Sequence, residues 1–153
     1  MERAMLVQTT RFGDVEIAED RVITFPRGLL GFDGMTRFCL LQPNDDACFL
    51  WLQSLEDESL AFVVTDPSLF EAGYRVPIRE DQRAVLRLRD GQDADAQVLV
   101  IVNKVDDVLT GNLQGPLVIN CESMLGEQFV LADRRWTTRH ELMRVAAPAK
   151  ASA

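Results

Sequence analysis

The chain has 153 residues and a mass of 17.2 kDa, with 16 Lys and Arg against 24 Asp and Glu, a net charge of −8 and a pI near 4.6. A chain of this length buries roughly 68–70% of its unfolded surface without help, so neither disulfides nor a metal is needed to hold a fold. The acidic balance argues against a partner gripped mainly through phosphates, because that affinity comes from Lys and Arg releasing condensed counterions, and it favours basic proteins instead.

The opening residues Met1-Glu2-Arg3-Ala4-Met5-Leu6 have no basic start followed by a long apolar stretch, so they do not read as a signal peptide. No stretch approaches the ~20 apolar residues of a membrane span. Period-two alternation and short β-branched runs then dominate. They predict strands at Met5–Thr9 and Asp14–Ile17, joined through Arg11-Phe12-Gly13-Asp14, where Gly13 supplies the positive φ a hairpin needs. Further strands are predicted at Arg21–Phe25, Phe38–Leu41, Phe49–Gln53 and Leu60–Val64. Asp66 before Pro67 predicts a single capped turn, since a proline's missing N–H costs nothing there. A strand at Tyr74–Pro77 follows. A helix of about two turns is expected within Ile78–Arg89, whose acids come first, as the helix dipole prefers. Asp90 to Ala96 reads as a solvated loop. Gln97–Val105 contains a run apolar enough to be buried on both faces and is the expected central strand. Pro116–Cys121 and Gln128–Leu131 complete the set, and the Ala-rich stretch from Val145 to Ala153 lacks a burial pattern and is expected to fray. The expected architecture is all-β and mainly antiparallel: one small β-barrel-like domain over 1–144 with one or two short helices, then a flexible tail over 145–153.

Groups that could carry chemistry are sparse. His140 is the only imidazole, and its neighbours place it in a surface turn, so a structural or binding role is expected rather than general acid–base catalysis. Cys39, Cys48 and Cys121 form no CxxC pair, and one His cannot complete a zinc set; they read as buried, reduced thiols of a cytoplasmic protein. The acidic pairs Asp45-Asp46, Glu56-Asp57 and Asp106-Asp107 lack calcium-loop spacing, and adjacent residues on a strand face opposite sides, so each is expected to be solvated surface. Gly111-Asn112-Leu113-Gln114-Gly115 has glycines but no GK[ST] and reads as a turn. No metal or cofactor site is expected.

The unusual feature is apolar residues in irregular segments. In Phe25-Pro26-Arg27-Gly28-Leu29-Leu30-Gly31-Phe32, two glycines and a proline oppose regular structure, yet Phe25, Leu29, Leu30 and Phe32 are strongly hydrophobic. Either this loop plugs one end of the barrel or it forms a partly exposed patch that binds protein. Leu69-Phe70 and Asn112-Leu113 repeat the theme, whereas Trp51, inside Phe49-Leu50-Trp51-Leu52, belongs to the core or barrel wall. The pattern picks out Leu29, Leu30 and Leu113 as interface anchors, with Asn112 beside them and Glu56, Asp57 and Asp106 as their polar rim.

Taken in order, these segments resemble the flagellar assembly factor FliW family. The stretches that carry the likeness are Phe12-Gly13 with Ile17, Ile23 to Phe32, Phe49 to Ser54, Leu60 to Pro67, Thr110 to Asn120, and Thr138-Arg139-His140, spanning Thr10 to Leu142. The resemblance implies a small β-barrel without enzymatic activity that binds two proteins in mutual exclusion. These are flagellin, held before secretion, and CsrA, a dimeric RNA-binding repressor of flagellin translation. It further implies that the factor, freed as secretion drains flagellin, docks on CsrA away from the RNA surface and relieves the repression. The alternative is a dedicated flagellin chaperone that ignores CsrA. On either account the protein is expected to be a monomer when alone, with no direct contact to nucleic acid or membrane.

Overall fold

A computed structural model describes residues 3–42 and 48–145. Strands β1 (Ala4–Thr9) and β2 (Gly13–Ala18) form the expected hairpin, with Thr9 opposite Gly13. Gly13 has φ 69°, and the Thr9 hydroxyl closes the turn by donating to Gly13 O at 2.8 Å and accepting from Phe12 N at 2.8 Å. The hairpin is a separate two-stranded sheet laid against the outside of the barrel. Val7, Phe12, Val15 and Ile17 pack there onto Cys39, Leu41 and Trp51. Trp51 sits in the barrel wall as expected, with Phe12 edge-on to its ring at 5.6 Å and the Arg11 guanidinium 4.8 Å from it.

The main sheet contains β3 (Ile23–Thr24), β4 (Arg37–Leu41), β5 (Phe49–Ser54), β6 (Ala61–Thr65), β7 (Ala96–Val105), β8 (Val108–Gly111), β9 (Leu117–Asn120), β10 (Leu125–Gln128) and β11 (His140–Arg144). Its order is β11-β8-β7-β6-β5-β4-β3-β10-β9, and a further pairing of β7 with β9 closes the ring. The length of β7 makes closure possible. Ala96–Leu99 lie opposite β9, Val102–Val105 lie opposite β8 on the same edge, and Val100–Val102 pair with β6 on the other edge. The central strand expected from Gln97–Val102 is therefore present, although burial is complete only at Leu99, Val100 and Val102. All pairings are antiparallel except β3 with β10. One core cluster fills the barrel around Phe25, Leu29, Phe38, Leu52 and Ile119. A second, around Leu86, Leu113, Phe129 and Trp136, lies under the only α-helix among the described residues, α1 (Glu80–Leu86).

That helix has the expected two turns. Glu80 and Asp81 stand in its first turn, Gln82 Oε1 accepts from Arg79 N at 2.8 Å, and Arg87 ends it in the left-handed conformation at φ 56°. The capped turn is a 3-10 turn at Pro67–Leu69, with Asp66 accepting from Ser68 N.

Several expectations are corrected. Tyr74–Pro77 is not a strand: it runs across the second core cluster without a sheet partner, held by the Tyr74 hydroxyl donating to Leu113 O at 2.6 Å. The last predicted strand is displaced. β10 spans Leu125–Gln128, and beyond it Phe129 and Leu131 donate their N–H groups to Pro116 O and Gln114 O. Strands β8 and β11 were not anticipated, because their short mixed sequences carry no clean alternation. Asp106-Asp107 forms the turn into β8, with Asp106 at φ 57°. His140 opens β11 rather than lying in a surface turn. The Asp90–Ala96 loop contains a 3-10 turn at Asp93–Asp95 pinned by Arg83, whose guanidinium meets the Asp93 carboxylate at 2.7 and 3.0 Å. Only Cys39 is a buried thiol, pushed up to about 11 by burial; Cys48 and Cys121 are exposed. Asp45-Asp46, the first two residues and the tail beyond Val145 lie outside the described residues. Among the described residues no helix is long and apolar enough to cross a membrane.

Candidate functional site

The loop from Phe25 to Met35 is a chain of tight turns. Gly28 N donates to Phe25 O at 2.8 Å, Phe32 N to Leu29 O at 2.7 Å and Met35 N to Phe32 O at 3.0 Å, with Gly28 and Gly31 at φ 67° and 87°. These reversals send neighbouring side chains in opposite directions. Phe25 and Leu29 enter the barrel core, Leu29 with 2% of its surface exposed, while Leu30 is 59% exposed. The loop thus plugs the barrel through Phe25 and Leu29 and at the same time leaves Leu30 exposed. Phe32 lies at the boundary, edge-on to Phe62 at 5.4 Å.

Leu30 stands at one side of a cleft of about 310 Å³ between this loop, the start of α1 and the end of β10. Val130, 60% exposed, is its apolar counterpart, and Arg27, Arg79 and Glu127 supply charge. A hydrogen-bonded relay anchors the cleft. Leu30 N donates to Gln128 Oε1 at 2.8 Å, Gln128 Nε2 donates to Gly115 O at 3.0 Å, and Gly115 N donates to Asn112 Oδ1 at 2.8 Å. The structure therefore joins Leu30 to Asn112 through two residues that the sequence pattern had not singled out.

Glu127 and Val130 are further site residues missed from sequence, where nothing in Leu125-Gly126-Glu127-Gln128-Phe129-Val130 marks them. Glu127 is buried, its carboxylate lies 3.5 Å from Arg27 Nη1, and Oε1 has no hydrogen-bond partner among the described residues. Burial pushes its carboxyl above the ordinary range, against the opposing pull of Arg27; Asp81 adds to the rise and Arg79 offsets it. The unfolded chain then releases this proton first as pH rises above about 4.3, so the folded state holds the extra proton and loses relative stability through that window. Glu127→Gln removes the slope. The denaturant midpoint of the variant minus that of the wild type is expected to grow between pH 4 and 7, and a flat difference would contradict the assignment.

Of the remaining expected site residues only Leu29 borders this cleft, and it does so from the core side. Leu29 and Leu113, at 2% and 0% exposure, belong to the core and cannot be surface anchors. Leu113 is held by the Tyr74 hydroxyl on its carbonyl and by its own N–H to Thr137 O at 3.1 Å. Glu56 and Asp57 line a different groove beside β1, and Asp106 occupies the β7–β8 turn, so they form no common rim around Leu30. His140 is tied into the fold, its Nε2 2.7 Å from Glu71 Oε1 and its ring 5.5 Å from that of Trp136. Among the described residues no group of His, Cys, Asp and Glu is arranged to hold a metal ion.

Fold and cleft together define a small closed β-barrel with an ordered, partly apolar loop at its surface. The family described as "FliW protein" matches residues 6–142. A flagellar assembly factor FliW from Geobacter sulfurreducens is 40% identical over 149 residues, covering 96% of this chain and 92% of that protein. The corresponding protein of Leptospira interrogans is 35% identical over 142 residues, covering 92% and 95%. A crystal structure of the flagellar assembly factor FliW superposes with a TM-score of 0.82 at 32% identity, over 95% of this chain and 99% of that one. The chain belongs to the FliW family.

Proposed function

We propose that this protein serves flagellar assembly in the cytoplasm by occupancy rather than catalysis, binding flagellin and CsrA in mutual exclusion and thereby relieving CsrA repression of flagellin translation. The observation that carries the reading is the family match across residues 6–142, joined to a cleft that exposes Leu30 and Val130 side by side with charged neighbours. Exposed apolar residues framed by charge are the usual make-up of a protein-binding centre. Leu30, with Asn112 behind it in the same relay, remains the proposed contact region; Glu56, Asp57 and Asp106 would act as outlying acidic contacts. The charge of −8 supports CsrA as a partner, since a basic RNA-binding protein is steered toward an acidic surface that RNA avoids.

Size-exclusion chromatography tests the reading directly. The purified protein is expected to co-elute with CsrA, and added flagellin is expected to dissolve that complex. In a gel-shift assay, the protein should release a CsrA-bound flagellin message. A flagellin complex without message release would establish the dedicated chaperone instead, and absence of both complexes would refute the proposal.

A further inference from the structure

The β1–β2 hairpin has an edge that nothing in the described chain pairs. The two strands form their own sheet, with no ladder to the nine-stranded one. Glu19 N donates to Arg3 O at 2.7 Å, which sets the odd-numbered residues of β1 toward β2. Backbone direction alternates along a strand, so the N–H and C=O groups of Ala4, Leu6 and Gln8 point the other way. Thr10, next in that series, shows where they point: its N–H donates to Glu58 O at 2.9 Å.

That edge opens onto a groove of about 620 Å³ lined by Leu6, Gln8, Met35, Arg37 and the Glu56-Asp57-Glu58 turn. Open edges invite pairing with other chains, and proteins usually blunt them with charge, proline or cover. β2 carries Asp14 and Glu16, and β11 carries Glu141 and Arg144, whereas β1 (Ala-Met-Leu-Val-Gln-Thr) has no charge and no proline. Leu6 is 59% exposed on it. The carboxylates opposite are held in place. Glu56 accepts from Thr36 N at 2.7 Å and Arg37 N at 3.0 Å, and Asp57 accepts from Ser59 N at 3.0 Å and its hydroxyl at 2.7 Å. Three acids against Arg37 leave the groove negative.

We infer that β1 is a docking edge that takes an extended, cationic segment of a partner protein as an added strand, with its backbone on Leu6 and Gln8, an apolar side chain against Leu6 and Met35, and Lys or Arg against the Glu56–Glu58 turn. Main-chain hydrogen bonds supply affinity in this mode and the flanking side chains supply selectivity. A second copy of this chain is the wrong occupant. Pairing two β1 edges would bring two sets of these carboxylates together between molecules that each carry −8. The inference rests on sheet topology and groove charge, not on the identity of the partners proposed above.

The test uses the full chain, 15N-labelled and titrated with a blocked synthetic peptide of alternating Lys and Val, and in parallel with one of alternating Glu and Val. The cationic peptide is expected to shift the amide signals of Leu6 and Gln8 and slow their hydrogen exchange, while the acidic peptide leaves them unmoved. Gln8→Pro deletes one outward N–H and no bond to β2, and should weaken binding at least ten-fold. Glu58→Lys should weaken it several-fold and carries the test alone if the proline variant fails to fold. Shifts remote from β1, equal response to both peptides, wild-type binding by these variants, or Leu6 and Gln8 shifts that track dimerisation of the chain would each overturn the inference. The probe contains neither flagellin nor CsrA, so its failure leaves those partners standing and their failure leaves this edge standing.

Discussion

Leu30→Asp is expected to weaken the proposed complexes with flagellin and CsrA roughly 10–100-fold while leaving the circular dichroism spectrum and melting curve unchanged. The same substitution one residue earlier, Leu29→Asp, is expected to leave no stably folded protein. The contrast follows from the turn at Gly28 and Gly31, which puts Leu30 in solvent beside Val130 and Leu29 among Phe25, Phe38 and Leu52. A carboxylate at Leu30 remains hydrated, so the fold loses little, but an apolar anchor in an interface becomes a charge that must be desolvated to bind. At Leu29 the carboxylate would enter a dry core without a partner, at a cost of several kcal/mol set against a typical net stability of about 5–15 kcal/mol. Isothermal titration of Leu30→Asp against each partner, with circular dichroism of both variants, decides the matter. Wild-type affinity for Leu30→Asp would remove the cleft from the binding surface, and a folded Leu29→Asp would mean the loop does not plug the barrel.

Gly28→Ala is expected to cost about 2–4 kcal/mol, lowering Tm by about 5–15 °C. Two independent effects combine. Gly28 has φ +67°, where an L side chain is strained, and a Cβ there would stand 2.7 Å from Asp33 O, 2.8 Å from Phe32 O and 2.9 Å from Asp33 Cα. Those are backbone atoms that cannot rotate aside, so the loop itself must move. Gly31→Ala is the control. Its φ of +87° brings strain, but nothing lies within 4 Å of the added Cβ, so only about 1 kcal/mol is expected. Scanning calorimetry of both variants checks the pair. Equal losses would mean that backbone conformation alone, and not the close approach to Phe32 and Asp33, requires glycine at this point. Because Gly28 lies two residues before Leu30, its variant is also expected to blur the cleft.

Much of this architecture is encoded locally and was readable for that reason. The Gly13 hairpin needs one residue tolerating positive φ, α1 needs acids before its apolar positions, and the Val- and Ile-rich run of β7 has no stable place except a sheet interior. The failures share a cause as well. Tyr74–Pro77 has strand-like composition, but Tyr74 N donates back to Glu71 O at 3.1 Å, its hydroxyl donates to Leu113 O, and the segment pairs with no neighbouring strand. β8 is defined by its hairpin with β7, and β11 only by β8, since His140–Arg144 alternates poorly and pairs along the edge that β8 leaves open. Within the site, the sequence pointed to an apolar loop but could not divide its residues between core and surface, and it overlooked Glu127, Gln128 and Val130.

The order of residues thus settled the acidic charge, the all-β character, the first hairpin, the helix within Ile78–Arg89 and the family to which the chain belongs, because each depends on near neighbours or on composition. Which leucine of the loop faces solvent, the relay from Leu30 to Asn112, the buried Glu127 carboxyl and the open edge of β1 were settled by assembly. The first three arise where β10, α1 and two loops distant in sequence meet, the last where the hairpin lies beside the Glu56–Glu58 turn, and no local pattern records which side of a turn the rest of the barrel will occupy.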